Sequence, residues 1–523
     1  MMFRYNIHKN QHYFRQLLCF FFFFSLIIVA IIYPGNASGW VVMGLTYLAL
    51  GFYPPVTKDR GYFIIFLLSL IIHHIFAYNL SDPHYTTGPL SAVFQPDTKK
   101  FFKILQNKYQ GNINAVGVAS FYHAIKFLSW VQNSTLFANA VIVLIYTSFL
   151  CILLKLMETL EIVKHQKIIL LLLILLPNQI VFSSMLLRET PQLITLILTI
   201  FYIIRVIKNN KIMKSDVFFL ITSCLIFTSL HQWFYFYTLF LFFLAIAYSI
   251  TILNWKSGKH VIVFLLAILS ILLTYTMGDK IINAFTEPKN ILQKNNLQKI
   301  ITKKKNMEEK NTKKKIIDKR LFPNIRANKN KNNPSNKPFK KLHKIISKYL
   351  DYQLHLVEFH AQSSYNSLSL KKTTYFSTSL PNHFIKSNQN WYTTTHRILF
   401  TYFCAQFGLS LYILIKLMLI NNFKIIMTFF YYFIIDSCFI ATLINMIFKF
   451  SENIKNFRLF LFLSYLAYSA MISMTTQNYG TSVRHLFITD WIIITIGIPS
   501  IFRCIKYTLT HLRAASHWII DKS

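Results

Sequence analysis

Acidic residues are scarce in this chain. Eighteen aspartates and glutamates stand against 55 lysines and arginines in 523 residues, so each carboxylate that falls in or beside an apolar segment gains weight as a functional residue. Cysteine is scarcer still: Cys19, Cys151, Cys224, Cys404, Cys438 and Cys504 lie in or at the edge of apolar segments and form no CxxC pair. That excludes a disulfide framework and gives no zinc site. Walker A and GxGxxG signatures are missing as well, which argues against a primary ATP-driven pump, and no HExxH or carboxylate cluster calls for a metal or cofactor. No repeat of 20–50 residues and no internal symmetry is visible.

Charge as a whole is also low. Only 14% of the residues are charged, where a soluble domain has about 25%, while 54% are hydrophobic and 16% aromatic. The composition predicts an all-α, polytopic membrane bundle. Apolar runs of spanning or near-spanning length fall at about 17–34, 39–54, 62–80, 137–156, 168–187, 191–207, 217–231, 234–253, 260–278, 398–420, 425–447, 459–474 and 486–502, giving about 12–13 transmembrane helices. The first of them is alternatively a cleaved signal peptide, with Gly35-Asn36-Ala37 as a poor cleavage site.

The formal charge of +37 resembles a nucleic-acid signal until it is mapped. Residues 289–348 hold 20 of the 55 basic residues against Glu308, Glu309 and Asp318, so this stretch carries about +17, and the remaining excess decorates short loops. Such a pattern suits anionic headgroups or phosphate-bearing substrates, not a nucleic acid. Three regions result: an N-terminal membrane bundle over 1–278 with a long loop at 81–136, a lysine-rich and partly disordered hydrophilic segment at 279–397, and C-terminal membrane helices at 398–523.

Orientation follows from loop charge. Arg4, Lys9 and Arg15, and then Lys58/Arg60, Lys164/Lys167, Lys208/Lys211/Lys214 and Lys256/Lys259 in alternate loops, put the N-terminus inside and 81–136, Arg188-Glu189 and 279–397 outside. Lys449/Lys455/Arg458 and Arg503/Lys506/Arg513 independently claim the cytoplasmic side. The two assignments collide, because 398–447 reads as two crossings where an odd number is needed. A broken or re-entrant element, with Lys416 or Asp436 inside it, reconciles them with an even total near twelve; the alternative is that the lysine-rich segment is cytoplasmic and the first-half orientation errs.

Two corners carry the candidate chemistry. In Leu187-Arg188-Glu189-Thr190-Pro191, Thr190 is a good N-cap and Pro191 a good first helical residue, so Arg188 would sit beside a helix N-terminus, an arrangement that binds anions. The alternative is that Arg188 and Glu189 pair with each other. Asn478-Tyr479-Gly480-Thr481-Ser482-Val483-Arg484-His485 would aim Arg484 and His485 at the same face, and the two corners together would cradle a phosphate; the alternative is an ordinary interfacial loop. Asp82 and Asp97 in the first long loop are candidate general bases for a sugar hydroxyl, or plain solvated carboxylates. His73-His74 and His231 are polar groups at membrane depth, for which interhelical hydrogen bonding is the expected role.

At these residues the chain resembles bacterial polytopic glycan-assembly proteins: the O-antigen or oligosaccharide repeat-unit polymerases (Wzy-type) and the GT-C glycosyltransferases. The resemblance lies in an external loop bearing an Asp, the run from Leu176-Pro177-Asn178-Gln179 to Arg188-Glu189, and the late Asn478-to-His485 stretch. It implies surface-glycan assembly from a polyprenyl-(pyro)phosphate carrier in the bacterial cytoplasmic (inner) membrane, with no cofactor and no nucleic acid. Arg188 and Arg484 would bind the lipid phosphate, with Glu189 and His485 beside them, and Asp97 or Asp82 would act as base. The chain departs from that pattern at His231, where relatives often have an arginine, and in the lysine-rich insert. A lipid-linked oligosaccharide flippase and a non-catalytic membrane scaffold are the competing functions.

Overall fold

The computed structural model describes residues 2–81, 96–108, 116–209, 212–231, 234–253, 258, 260–272, 423–448, 457–475 and 485–520. Among them there is no strand. The helices are α1 (Met2–Ile32), α2 (Ala37–Gly51), α3 (Pro54–Thr57), α4 (Arg60–Asn79), α5 (Pro96–Leu105), α6 (Val116–Val131), α7 (Thr135–Thr159), α8 (Gln166–Leu175), α9 (Pro177–Phe182), α10 (Glu189–Lys208), α11 (Lys214–Ser229) and α12 (Phe234–Leu253). They are followed by α13 (His260–Leu272), α14 (Phe423–Phe448), α15 (Arg458–Thr475) and α16 (Asp490–Ile520). The lysine-rich stretch and the run 398–420 lie outside the described residues.

Seven described helices are long and apolar enough to cross a membrane: Gln11–Ile32, Arg60–Asn79, Thr135–Thr159, Glu189–Lys208, Phe234–Thr251, Phe430–Phe448 and Asp490–Leu512. Their outer faces agree with that assignment. On α1, Phe14, Leu17, Phe21, Phe24 and Ile28 recur at three- and four-residue spacing and are all exposed, which is the reverse of a water-soluble helix. The chain is an integral membrane protein.

The remaining apolar runs among the described residues form shorter elements. α2 has 15 residues and α11 has 16, while the run 168–187 is interrupted at Pro177, where Leu176 takes an extended conformation and separates α8 from α9. An apolar run does not by itself distinguish a full crossing from a broken one. At the second ambiguous place the expectation of a broken or re-entrant element fails over 425–447. There α14 is one continuous helix of 26 residues, and Asp436 lies within it, nearly buried among its neighbours.

Contacts join the first 271 residues to the C-terminal helices in one compact unit. α14 and α16 run parallel: Tyr431 meets Asp490 and, seven residues later on both, Cys438 meets Gly497. Without lipid-exposed hydrophobic driving force between them, membrane helices hold together by close packing, and small residues permit it. A Cβ added at Gly497 would lie 2.7 Å from the Cys438 Cα, and one added at Gly39 of α2 would lie 2.6 Å from Leu136 Cγ of α7. No side chain fits at either contact.

Polar ties fix the short connections. Asp59 caps α4, accepting from Gly61 N at 2.7 Å and Tyr62 N at 3.0 Å, and pairs with Lys167 at 2.9 Å. Partial burial opposes ionisation of this carboxyl, but those hydrogen bonds outweigh it and hold its pKa below the ordinary carboxylate value. Asp59→Ala is expected to cost about 1 kcal/mol, mostly from the lost cap, since the ion pair is too exposed to add much. The carboxylate's contribution should be present above about pH 3.9 and disappear as pH falls through the depressed folded value. Thermal unfolding of wild type and variant across that range checks both points.

His73 and His74 depart from the expected interhelical hydrogen bonds. His73 Nδ1 pairs with Ser69 O of its own helix at 2.7 Å, and the contacts between helices are ring packing, His73 on Tyr146 of α7 and His74 on Tyr47 of α2. His73 Nδ1 is thus satisfied within its own helix, while His73 Nε2 and both ring nitrogens of His74 have no hydrogen-bond partner among the described residues.

Candidate functional site

The broken helix builds the site. After α9 the chain leaves helical conformation from Ser183 to Arg188, and Ser183 through Leu187 are all buried. Irregular backbone at membrane depth is tolerated only where protein surrounds it and supplies its hydrogen bonds. Here Asn139 of α7 supplies them: its Oδ1 accepts from Leu186 N at 2.9 Å while its Nδ2 donates to Ala77 O of α4 at 3.1 Å. One buried amide thus pins the loop to two spans.

α10 starts two residues earlier than the cap pattern predicts. Arg188 occupies the N-cap position without a side-chain capping bond, and Glu189 is the first helical residue. Thr190, expected as the cap, donates instead to Phe182 O at 3.1 Å and ties the start of α10 back to α9. The local threonine–proline signal was outcompeted by this tertiary bond.

The carboxylate of Glu189 therefore sits at the N-terminal, positive end of α10. It is 1% exposed, 3.7 Å from Arg188 Nε and 4.0 Å from His485 Nδ1. The pairing of Arg188 with Glu189 is realised, and the anion nearest this helix start is Glu189 itself. His231 joins the group, its ring centroid 6.2 Å from that of His485. The two predicted corners, 296 positions apart in the chain, thus share one end of the bundle.

A second carboxylate stands behind the first. Asp490, at the start of α16 and fully buried, accepts from Asn178 Nδ2 of α9 at 2.9 Å and from the Tyr431 hydroxyl of α14 at 2.8 Å. The buried Tyr468 of α15 lies within electrostatic reach of Glu189, Arg188 and Asp490, which links the two groups. Several buried polar atoms here have no hydrogen-bond partner among the described residues: Ser184 Oγ, Arg188 Nε, Tyr468 Oη and Asp490 Oδ1. Buried polar atoms are normally satisfied, so each of these needs an explanation, of which water or a ligand is one.

Of the seven residues expected from sequence, Arg188, Glu189, His231 and His485 come together. Asp82 and Arg484 lie outside the described residues. Asp97 falls in α5, whose Phe101 packs on Phe121 and Tyr122 of α6, but its side chain is also outside them. Sequence reasoning missed Asp490, Asn178, Tyr431 and Asn139. Asp490 had a usable signal, an acid at the head of an apolar run in a chain with 18 of them. No group of three histidine, cysteine or acidic side chains able to hold a metal ion occurs among the described residues.

The arrangement sets a buried carboxylate, Glu189, beside one arginine and one histidine, with the buried Asp490 held by Asn178 and Tyr431 at the same end of the bundle. No protein-family model, curated protein or solved structure matches this chain.

Proposed function

We propose that this protein acts in surface-glycan assembly in a bacterial cytoplasmic membrane, transferring or polymerising sugars from a polyprenyl-(pyro)phosphate carrier. The observation that carries the reading is the convergence of Arg188, Glu189, His485 and Asp490 at one end of a helical membrane bundle. Arg188, with Arg484 one residue before His485, would neutralise the leaving lipid phosphate. Glycosyl transfer also requires a carboxylate facing the acceptor hydroxyl. Glu189 and Asp490 are at the site, and Asp82 and Asp97 remain candidates from the long loop. Low dielectric around buried charges strengthens each of these interactions.

The interruption at Pro177 favours a second reading. Transporters bind substrates where broken helices expose backbone and helix ends inside the bundle, so a flippase for the same lipids would use the same corner. One experiment separates them. Full-length protein in proteoliposomes is given a polyprenyl-pyrophosphate oligosaccharide, and product length and sidedness are both measured. Lengthened glycan with release of carrier supports the transferase; inversion of unaltered lipid supports the flippase. Neither outcome, with folded protein, rejects lipid-linked glycan as substrate.

A further inference from the structure

The opposite end of the bundle holds a different feature. α10 spans 20 residues from Glu189 to Lys208, about 30 Å, and at its far end Lys208 pairs with Glu161 at 3.4 Å. Glu161 borders a cleft of about 810 Å³ between the turn after α7 and the middle of α16. Lys164, Arg458, Arg503 and Lys506 line that cleft, with Glu161 as the one acid among its described lining residues. Among the described lining residues the basic side chains outnumber the acid, and Lys208 engages that acid.

Its chemistry is two-sided. Val163, Pro499, Phe502 and Ile505 supply an apolar wall next to the cations, and the His165 ring stacks on Phe502 at 4.8 Å between centroids. His165 reports how close the charges lie: partial burial, then Arg458, Arg503 and Lys164, hold its pKa below the ordinary histidine value. It adds no reliable charge of its own at neutral pH. The residues come from three well-separated parts of the chain, 161–165, 458 and 499–510, so the cleft is made by the fold and is not one basic run.

We propose that this cleft binds the phosphate headgroup of an anionic phospholipid, the cations holding the phosphate and an acyl chain lying along the Val163–Phe502 wall. A free phosphate would use the cations but gain nothing from the apolar side. Basic pockets between membrane helices on the cytoplasmic side take such headgroups, and this is the end that the loop charges place there. The site is independent of the sugar chemistry proposed above.

Native mass spectrometry of the full-length protein in detergent tests it, with phosphatidylglycerol and phosphatidylcholine of identical acyl chains as probes and inorganic phosphate as competitor. Phosphatidylglycerol should bind at least fivefold more tightly than phosphatidylcholine. Lys506→Gln, at an exposed position, should weaken it about fivefold, and Arg503→Gln with Lys506→Gln about 25-fold, with Lys126→Gln on α6 unchanged. Equal binding of the two lipids, or wild-type affinity in folded Lys506→Gln, overturns the site. Displacement of the lipid by an equal concentration of inorganic phosphate overturns the lipid assignment. If the double variant does not fold, the single exposed substitution decides.

Discussion

On the proposed glycan-transfer function, Arg188→Ala is expected to slow glycan lengthening at least 100-fold, and Arg484→Ala to do the same, while each protein is still made and inserted. Arg188 is 11% exposed and lies at the head of α10, so its charge acts where water screens little. Its removal also takes a cation from beside Glu189, so a loss of activity has to be separated from a loss of fold. Arg188→Lys does that: it keeps the charge but not the planar guanidinium, and should retain roughly a tenth of the rate with a normal unfolding midpoint. Initial rates in proteoliposomes, normalised to monodisperse protein, give the answer. Rates within twofold of wild type in well-folded Arg188→Ala would remove Arg188 from the mechanism.

Gly497→Leu should be the most damaging single change to the fold, costing about 3 kcal/mol or more. The first added carbon would already lie 2.7 Å from the backbone of Cys438, and backbone cannot rotate away as a side-chain tip can. α14 and α16 would have to separate, and the Tyr431–Asp490 bond seven residues up the same interface would lengthen with them. Gly497→Ala brings the same first carbon and should show part of the loss. The check is the thermal unfolding midpoint in detergent, alongside yield after extraction. An unchanged midpoint in Gly497→Leu would mean that these two helices are not packed as described.

The sequence carried the class of fold because lipid imposes it: long apolar runs with 14% charge admit little besides helices. It also carried one half of the site. Arg188-Glu189 stood out as charges at membrane depth, and His485 through its position after a glycine turn. What it did not carry was anything that depends on partners distant in the chain. Thr190 looked like a cap because cap signals are local, and Phe182 O was invisible as a competitor. Asp490 and Tyr431 are ordinary residues until the parallel packing of α14 and α16 brings them together. The interruption of α8–α9 was half legible, since Pro177 was in plain view but its effect depends on Asn139 satisfying the loop that follows.

The hydrogen bond from Asn178 to Asp490 joins residues 312 positions apart. At about 5–20 residues per second, a ribosome needs about 15–60 s to reach Asp490 after making Asn178. Through that interval the early helices are in the membrane while α9 and the buried loop after it lack the late helices that enclose them. Biogenesis therefore passes through a stage in which polar groups at lipid depth depend on the insertion machinery or on water for shelter. Synthesis that stalls before Asp490 would therefore leave α9 and the buried loop after it unenclosed.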